Sequence, residues 1–166
     1  MLYTRASELA IRAALFLARQ PPGKLCPVRE IAQATELSEA YLAKILRRLT
    51  GTGLVRGFRG PGRGMQLGRS PEEISLWMLV RAMEGPERPD CCALGLKVCS
   101  EENPCALHFK WIPLRDAVRS LLSETTLASL VRTVRERGEQ EKRALVPVEA
   151  QGSRGRSGVG NAQKAS

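Results

Sequence analysis

The first fifty residues place apolar side chains at helical spacing, and this pattern predicts three helices. The first helix covers residues 6–19 and ends where two prolines and a glycine interrupt the pattern at 20–23. A short second helix covers 27–34, and a third covers 39–49, for which Ser38 is a favourable N-cap. The third helix should face the core with its large aliphatic residues, which are Leu42, Ile45, Leu46 and Leu49.

The pattern after the third helix predicts a β-hairpin and then three more helices. Two short apolar segments, 54–58 and 65–67, flank the sequence Arg-Gly-Pro-Gly-Arg-Gly at 59–64, whose glycines suit a hairpin tip. Ser70 is expected to cap a fourth helix that runs to about residue 83. The last two helices are predicted over 106–123, with Pro113 as a kink or as the true start, and from Thr125 or Thr126 to about residue 137.

Positive charge is concentrated in the part of the chain that these first elements occupy. Residues 1–69 carry 12 Lys and Arg against 4 Asp and Glu, whereas residues 70–144 carry 11 against 12. A basic segment joined to a neutral one is typical of a nucleic-acid-binding module attached to a part with another task. A solubilising surface is the alternative explanation. Residues 145–166 have almost no large apolar side chains, and we predict that they form a disordered tail.

The composition also narrows the class of protein. No apolar run approaches the roughly 20 residues that a bilayer-spanning helix needs. The first residues do not follow the signal-peptide pattern, so we expect a cytoplasmic protein without a membrane partner. The chain has a single histidine and no visible nucleophile–base pair, and its segment 59–64 lacks the Gly-Lys-Ser/Thr sequence of a phosphate-binding loop. We therefore predict that it is not an enzyme.

The order of helix, short helix, turn, helix and glycine-tipped hairpin predicts a mainly α fold with a winged helix-turn-helix domain. In that arrangement the third helix enters the major groove of DNA, with hydroxyl groups for bases and cations for phosphates. The hairpin tip, or wing, can reach a minor groove, whose negative potential attracts arginine. The predicted DNA-contacting residues are Ser38, Glu39, Tyr41, Lys44, Arg47 and Arg48 in the helix and Arg59, Gly60 and Arg63 in the wing. For Tyr41, a packing role is an equal alternative.

Four of the five cysteines and the only histidine lie together between residues 91 and 108. Cys92 and Cys99 are separated by six residues, Cys99 and Cys105 by five, and Cys105 and His108 by two. Thiolates suit zinc, copper(I) and iron–sulfur clusters. The gaps are wider than the Cys-x₂₋₄-Cys pairs of compact zinc sites, so we favour a cluster, with His108 as a nitrogen ligand. Cys91 can replace Cys92, and a reversible disulfide switch is the alternative to a metal.

With these motifs together, the sequence resembles the IscR/NsrR-type family of bacterial iron–sulfur winged-helix transcription regulators. The resemblance spans about residues 1–135. It implies a homodimer, formed by the long helix at about 107–123, that binds a palindromic operator in double-stranded DNA. The residues that carry the resemblance are the segments 10–14, 38–42 and 49–55, the wing at 59–64, and the cysteine loop through His108 and Trp111.

The resemblance also implies an iron–sulfur cluster held by Cys92, Cys99 and Cys105 and by one further ligand. We favour a [2Fe–2S] cluster, with [4Fe–4S] as the alternative. IscR-like members use a histidine that matches His108, whereas NsrR-like members use an acidic residue of the other subunit, for which Glu8 is the counterpart. The first gap is one residue longer than in the IscR pattern, which leaves Cys91 open as a ligand in place of Cys92.

These observations lead to three functional hypotheses. The leading one is a transcription repressor or dual regulator whose operator affinity is controlled by a cluster that senses iron, nitric oxide or redox state. The second keeps DNA binding and replaces the cluster with a zinc site or a thiol switch. The third is an iron–sulfur electron-transfer protein, which has no use for the wing. The predicted divisions of the chain are a DNA-binding domain (1–84), a cysteine loop (85–106), dimerisation helices (107–144) and the tail (145–166).

Overall fold

A computed structural model describes the backbone of residues 3–60, 63–85, 92–97 and 99–144, and the side chains as far as residue 138. The described part is mainly α with one two-stranded antiparallel sheet, as the sequence pattern predicts. Cys91 and the predicted tail lie outside the described residues. None of the helices in this part is both long and apolar enough to span a bilayer. In chain order the elements are α1 (Arg5–Ala18), α2 (Val28–Thr35), α3 (Glu39–Gly51), β1 (Val55–Phe58), β2 (Gly64–Leu67), α4 (Leu76–Glu84), α5 (His108–Glu124) and α6 (Leu127–Ala144).

Helix α1 lies at the centre of the core. Thr4 caps its start, where the hydroxyl oxygen accepts a hydrogen bond from the Ser7 amide at 3.4 Å. Small residues on its inner face let neighbouring backbones approach closely, and α1 packs against α2, α3, α4 and α6. The buried apolar residues of this face are Leu9, Ala10, Ala13, Ala14 and Leu17.

Helices α2 and α3 form the helix-turn-helix unit. Glu36, directly after α2, has a left-handed backbone conformation with φ of 57°, which turns the chain tightly before α3. Ser38 caps α3, and its Oγ accepts a hydrogen bond from the Tyr41 amide at 3.3 Å, so the predicted N-cap is confirmed. The four predicted core residues of α3, which are Leu42, Ile45, Leu46 and Leu49, are each at most 2% exposed.

The wing is a hairpin that is fastened to the residues before α2. Strands β1 and β2 pair from Val55–Leu67 to Phe58–Gly64. The Cys26 amide donates to the Met65 carbonyl at 2.9 Å, and the Met65 amide donates to the Cys26 carbonyl at 2.8 Å. Gly64 permits this approach, because a Cβ atom there would lie 3.0 Å from the Cys26 backbone. The wing is therefore held in place relative to the helix-turn-helix unit.

Helix α4 begins later than the sequence predicts. It starts at Leu76 with Ser75 as its N-cap, whereas the residues from Ser70 to Glu73 form a turn. In that turn the Glu73 carboxylate accepts a hydrogen bond from the Ser70 amide at 3.1 Å. The predicted start at Ser70 is wrong because Ser75 pairs with Thr126 in an isolated β-bridge. A contact between distant parts of the chain thus keeps the backbone extended at Ser75 and delays the helix.

Helix α5 follows the cysteine loop and packs on α4 through part of its surface. It begins at His108, so Pro113 lies inside the helix and is not its start. The Arg119 guanidinium carbon lies 5.4 Å from the centre of the Trp77 ring of α4, within cation–π range. His108 and Leu122 are the buried residues of α5, and much of its remaining surface is open to solvent.

Gly68→Ala is expected to destabilise the protein by about 3 kcal/mol, the upper part of the range for overpacking. Gly68 directly follows β2, and its amide donates to the Leu54 carbonyl at 2.9 Å. A Cβ atom at this position would overlap the Gly53 carbonyl oxygen. Because the obstacle is backbone, it cannot rotate aside as a side chain can. Urea unfolding followed by circular dichroism measures the loss.

Gly57→Ala is the matched control in the same hairpin. The added Cβ meets the sulfur of the flexible Met65 side chain at 3.1 Å, and that side chain can move. We expect a cost of at most about 1 kcal/mol, the scale of a rotamer adjustment. Equal losses in the two variants would contradict the steric explanation for Gly68.

Candidate DNA interface and cysteine site

The outer face of α3 carries the polar residues that the sequence assigns to DNA contact. Tyr41 is 40% exposed, so it does not fill the core. This face is opposite the buried aliphatic residues of the same helix, as the helical spacing requires. The DNA contacts themselves stay predictions. The exposed residues of the face and its N-cap are Ser38, Glu39, Tyr41, Lys44, Arg47 and Arg48.

Arg48 differs from its neighbour Arg47 in what its guanidinium contacts. Arg48 Nη1 donates a hydrogen bond to the Met83 carbonyl near the end of α4, at 2.6 Å. The Arg47 guanidinium is exposed and makes no hydrogen bond to the described part of the chain. No local sequence pattern indicates the Arg48 contact, because the two residues are 35 positions apart.

The wing tip presents two arginines, Arg59 and Arg63. Gly60 has φ of 94°, a conformation that favours glycine, and its carbonyl accepts a hydrogen bond from the Arg63 amide at 3.0 Å. Arg59, Gly60 and Arg63 are all exposed. A cleft of about 420 Å³ separates the wing from α2, and its lining includes Arg29, Phe58 and Arg63. The sequence pattern does not single out Arg29 or Phe58, although Phe58 is 43% exposed.

Three cysteines of the loop converge on one point. The Sγ atoms of Cys92, Cys99 and Cys105 all lie within 4.8 Å of one another. The Cys92 and Cys105 sulfurs are 3.5 Å apart. All three residues are partly exposed. The structure therefore brings together three of the predicted ligands, whose separation in sequence is spanned by the loop.

His108, the first residue of α5, borders this group of thiols. Its Nδ1 lies 3.1 Å from the Cys99 sulfur, and the residue is 7% exposed. Its Nε2 is buried and has no hydrogen-bond partner among the residues that the structure describes. Buried polar atoms normally have a partner. Three sulfurs beside a buried imidazole form a soft donor set that fits an iron–sulfur cluster or zinc.

The thiols of the group differ in acidity. Hydrogen bonds from the backbone at Leu94 and Leu96 lower the pKa of Cys92 to about 7. At Cys99 the backbone at Cys105 acts to lower the pKa, but desolvation and the neighbouring thiols raise it overall. Since the thiolate is the form that binds metal, Cys92 is better prepared than Cys99 to bind it at neutral pH.

Glu8, the alternative fourth ligand, is engaged by two arginines of its own helix. Arg5 Nη1 lies 2.6 Å and Arg12 Nη2 lies 2.8 Å from its carboxylate oxygens. The hydrogen bond from Arg5 is the main cause that lowers the pKa of Glu8. Within the described part of one chain, Glu8 is not in the convergent group of ligand atoms. Ligation by Glu8 would require its carboxylate to leave these arginines.

The start and outer side of α5 expose large apolar residues. Leu107, Leu114 and Leu121 are 41%, 54% and 59% exposed, and Phe109 is 69% exposed. The three leucines are seven positions apart, a spacing that places them along one side of a helix. Exposed apolar residues aligned in this way form a candidate surface for contact with another protein.

Comparisons with known proteins identify one family. The family model described as "Rrf2: Iron-dependent Transcriptional regulator" matches residues 3–133. This range contains the helix-turn-helix unit, the wing, the cysteine loop and α5. The match therefore covers both candidate sites and not the DNA-binding unit alone.

Individual relatives match over more than two thirds of the chain. The HTH-type transcriptional regulator CymR of Bacillus subtilis is 37% identical over 114 residues, which are 69% of this chain and 76% of CymR. IscR of Pectobacterium carotovorum subsp. carotovorum is 31% identical over 131 residues, or 79% of either chain. NsrR of Bacillus subtilis is 30% identical over 133 residues, which are 80% of this chain and 91% of NsrR. The solved structure of CymR, described as the global cysteine regulator of B. subtilis, has a TM-score of 0.66 at 31% identity and covers 78% of this chain and 95% of CymR.

Proposed function

This chain belongs to the Rrf2 family of transcriptional regulators, and we propose that it is a member whose DNA binding depends on an iron–sulfur cluster. The prediction of a winged-helix transcription regulator, and not an enzyme, is confirmed by the family and by the likeness to CymR. The observation that carries the finer proposal is the convergence of three cysteine sulfurs within 4.8 Å. They lie on the loop that joins the DNA-binding unit to α5.

We propose that α3 reads the major groove while the wing holds the flanking minor groove. The exposed hydroxyl and cationic groups of α3 supply base and phosphate contacts. Arg59 and Arg63 at the wing tip are positioned for a groove of negative potential. We propose that binding at a promoter represses transcription and that the protein acts in the cytoplasm. The proposed contact residues are Ser38, Glu39, Tyr41, Lys44, Arg47, Arg59, Gly60 and Arg63. Arg48, also predicted to contact DNA, is left out of this set because its guanidinium donates to the Met83 carbonyl.

The exposed stripe on α5 supports a homodimer. Leu107, Leu114 and Leu121 are each more than 40% exposed, which is costly for a single chain in water. We propose that the same stripe of a second copy covers them in an isologous contact. A two-fold dimer presents two α3 helices to half-sites about one helical turn (~34 Å) apart, and its operator is therefore palindromic.

The proposed cluster ligands are Cys92, Cys99, Cys105 and His108. His108 is preferred as the fourth ligand over Glu8, because its imidazole already borders Cys99 whereas Glu8 is held by two arginines. We favour [2Fe–2S], with [4Fe–4S] as the alternative. When bound, a cluster supplies a centre that responds to iron supply, nitric oxide or redox state. By binding the cluster, these four side chains would hold the loop between α4 and α5 in one arrangement.

A thiol switch or a zinc site is the second candidate. The 3.5 Å separation of the Cys92 and Cys105 sulfurs favours the thiol switch of these two. Two thiols this close can be oxidised to a disulfide, particularly since the lowered pKa of Cys92 provides thiolate near neutral pH. The electron-transfer hypothesis gives the winged helix no role, and membership of a regulator family speaks against it.

Metal and sulfide analysis separates these candidates. The protein is purified without oxygen, and its visible spectrum, iron, acid-labile sulfide and zinc are measured. The proposal predicts a coloured protein with iron and sulfide in equal amounts. A colourless protein with one zinc per chain would replace the cluster with the zinc site. A metal-free protein that gains a Cys92–Cys105 disulfide on oxidation would support the thiol switch.

Arg59→Ala is expected to weaken operator binding, because a cation that contacts a phosphate or the minor groove is lost. The slope of the logarithm of affinity against the logarithm of salt concentration should become shallower by about one. Fluorescence anisotropy with a duplex selected by the wild-type protein measures affinity over a series of salt concentrations. Arg132→Ala on α6 removes an exposed arginine outside the proposed interface and serves as the control. Unchanged affinity and slope in Arg59→Ala would count against wing insertion.

A further inference from the structure

The last turn of α4 is attached to two other helices by hydrogen bonds. Arg48 Nη1 of α3 donates to the Met83 carbonyl at 2.6 Å. Glu84 Oε1 accepts from the Thr4 amide and from the Ser7 hydroxyl, each at 2.6 Å. Thr4 and Ser7 belong to the start of α1, and Ser7 is fully buried. The last turn of α4 therefore connects α3 with the start of α1.

The Arg48 contact satisfies a group that α4 itself leaves open. Met83 is the penultimate residue of α4, and the last four carbonyls of a helix lack an intrahelical donor. The carboxyl end of a helix also carries a partial negative charge, which favours a guanidinium. A hydrogen bond from a charged donor to such a carbonyl is short and directional. The bond thus ties the direction of α4's end to the position of α3.

This turn is also where the chain leaves the DNA-binding unit for the cysteine site. Gly85, the residue after α4, adopts φ of 88°, and Cys92 lies seven positions further on. We propose that Arg48 is a positioning residue, which passes the arrangement of the cysteine loop to α3 through the Met83 carbonyl. The inference rests on the proposed function, because it specifies how the same cysteine site regulates DNA binding. It also revises the role predicted for Arg48, from contacting DNA to orienting the helix that does.

The test compares two neighbouring arginines. Arg48→Met and Arg47→Met each remove a guanidinium and keep a long side chain on the same helix. Operator affinity is measured anaerobically for each protein, once as purified with its cluster and once after the cluster is removed by a chelator. In wild type we expect at least about a fivefold difference between the two forms, the lower end of allosteric coupling. In Arg48→Met the ratio falls to within about twofold of one, whereas Arg47→Met weakens both forms and keeps the wild-type ratio.

Two further measurements distinguish a positioning role of Arg48 from a general loss of structure in the variant. Arg48→Lys keeps a cation in reach of the carbonyl and is expected to restore most of the wild-type ratio. Hydrogen exchange of the cluster-free proteins should show faster exchange at the end of α4, residues 82–85, in Arg48→Met than in Arg47→Met. This readout does not depend on a loaded cluster.

The outcomes are distinguishable. A wild-type ratio above fivefold that Arg48→Met retains would overturn the inference and leave the proposed function standing. Equal weakening of both forms by Arg48→Met, as in Arg47→Met, would return Arg48 to a DNA contact and overturn the inference as well. A wild-type ratio of one would overturn the proposed function and the inference together.

Discussion

Cys105→Ser is expected to yield a protein that retains less than about a tenth of the wild-type iron and sulfide, because a neutral serine hydroxyl is a poor substitute for a soft thiolate ligand. Cys105 is central to the group, since its sulfur lies 3.5 Å from that of Cys92 and within 4.8 Å of that of Cys99. Loss of one of three sulfur ligands leaves too few donors to hold a cluster through purification. Iron and sulfide assays with the visible spectrum, all without oxygen, measure the loss.

Cys26→Ala is the matched control for that substitution. Cys26 is fully buried beside the wing, and burial raises the pKa of its thiol. It lies outside the convergent group of sulfurs, so its removal should leave the cofactor content unchanged. If Cys105→Ser kept the full complement of iron and sulfide, the assignment of the loop cysteines as ligands would be wrong.

Leu46→Ala is expected to lower the free energy of unfolding by about 2–5 kcal/mol, the range for large cavities in a core. Leu46 is 1% exposed and belongs to the buried cluster that joins α3 to α1 and α4. Since a domain of this kind is stable by only about 5–15 kcal/mol, the variant should also melt at a lower temperature. Urea unfolding at fixed protein concentration measures the change.

Lys44→Ala lies on the same helix and provides the comparison. Lys44 is exposed, so its truncation should alter stability by no more than about 0.5 kcal/mol. For DNA affinity, measured under conditions in which both proteins are folded, we expect the larger loss in Lys44→Ala, because Lys44 faces outward and Leu46 does not. Similar stability of the two variants would contradict the assignment of inner and outer faces of α3.

The elements of the DNA-binding unit could be predicted because local sequence determines them. The cap at Ser38 and the spacing of Leu42, Ile45, Leu46 and Leu49 act within one helix, and both are found in the structure. The start of α4 could not be predicted in the same way. A serine–proline pair at Ser70 is a good local signal, but the pairing of Ser75 with Thr126 overrides it, and no pattern near Ser70 reports that contact.

The same distinction between local signals and distant contacts applies to the candidate sites. The spacing of the three cysteines indicates that one loop can bring them together, and their sulfurs converge in the structure. Which nitrogen of His108 faces Cys99 depends on how the loop folds against the start of α5, and the contact between Arg48 and Met83 depends on how α3 and α4 pack. Such contacts follow from tertiary structure and have no signature in a short window of sequence. The choice between Cys91 and Cys92 stays a prediction, because Cys91 lies outside the described residues.

We propose that the condition of the cysteine site controls how tightly the dimer binds DNA, and a titration of the wild-type protein can decide this. Wild-type protein purified without oxygen is titrated with its selected operator at fixed salt, before and after removal of the cluster by a chelator. We expect the two dissociation constants to differ by at least about fivefold. Equal constants for a protein that carries iron and sulfide in the first titration and none in the second would contradict it.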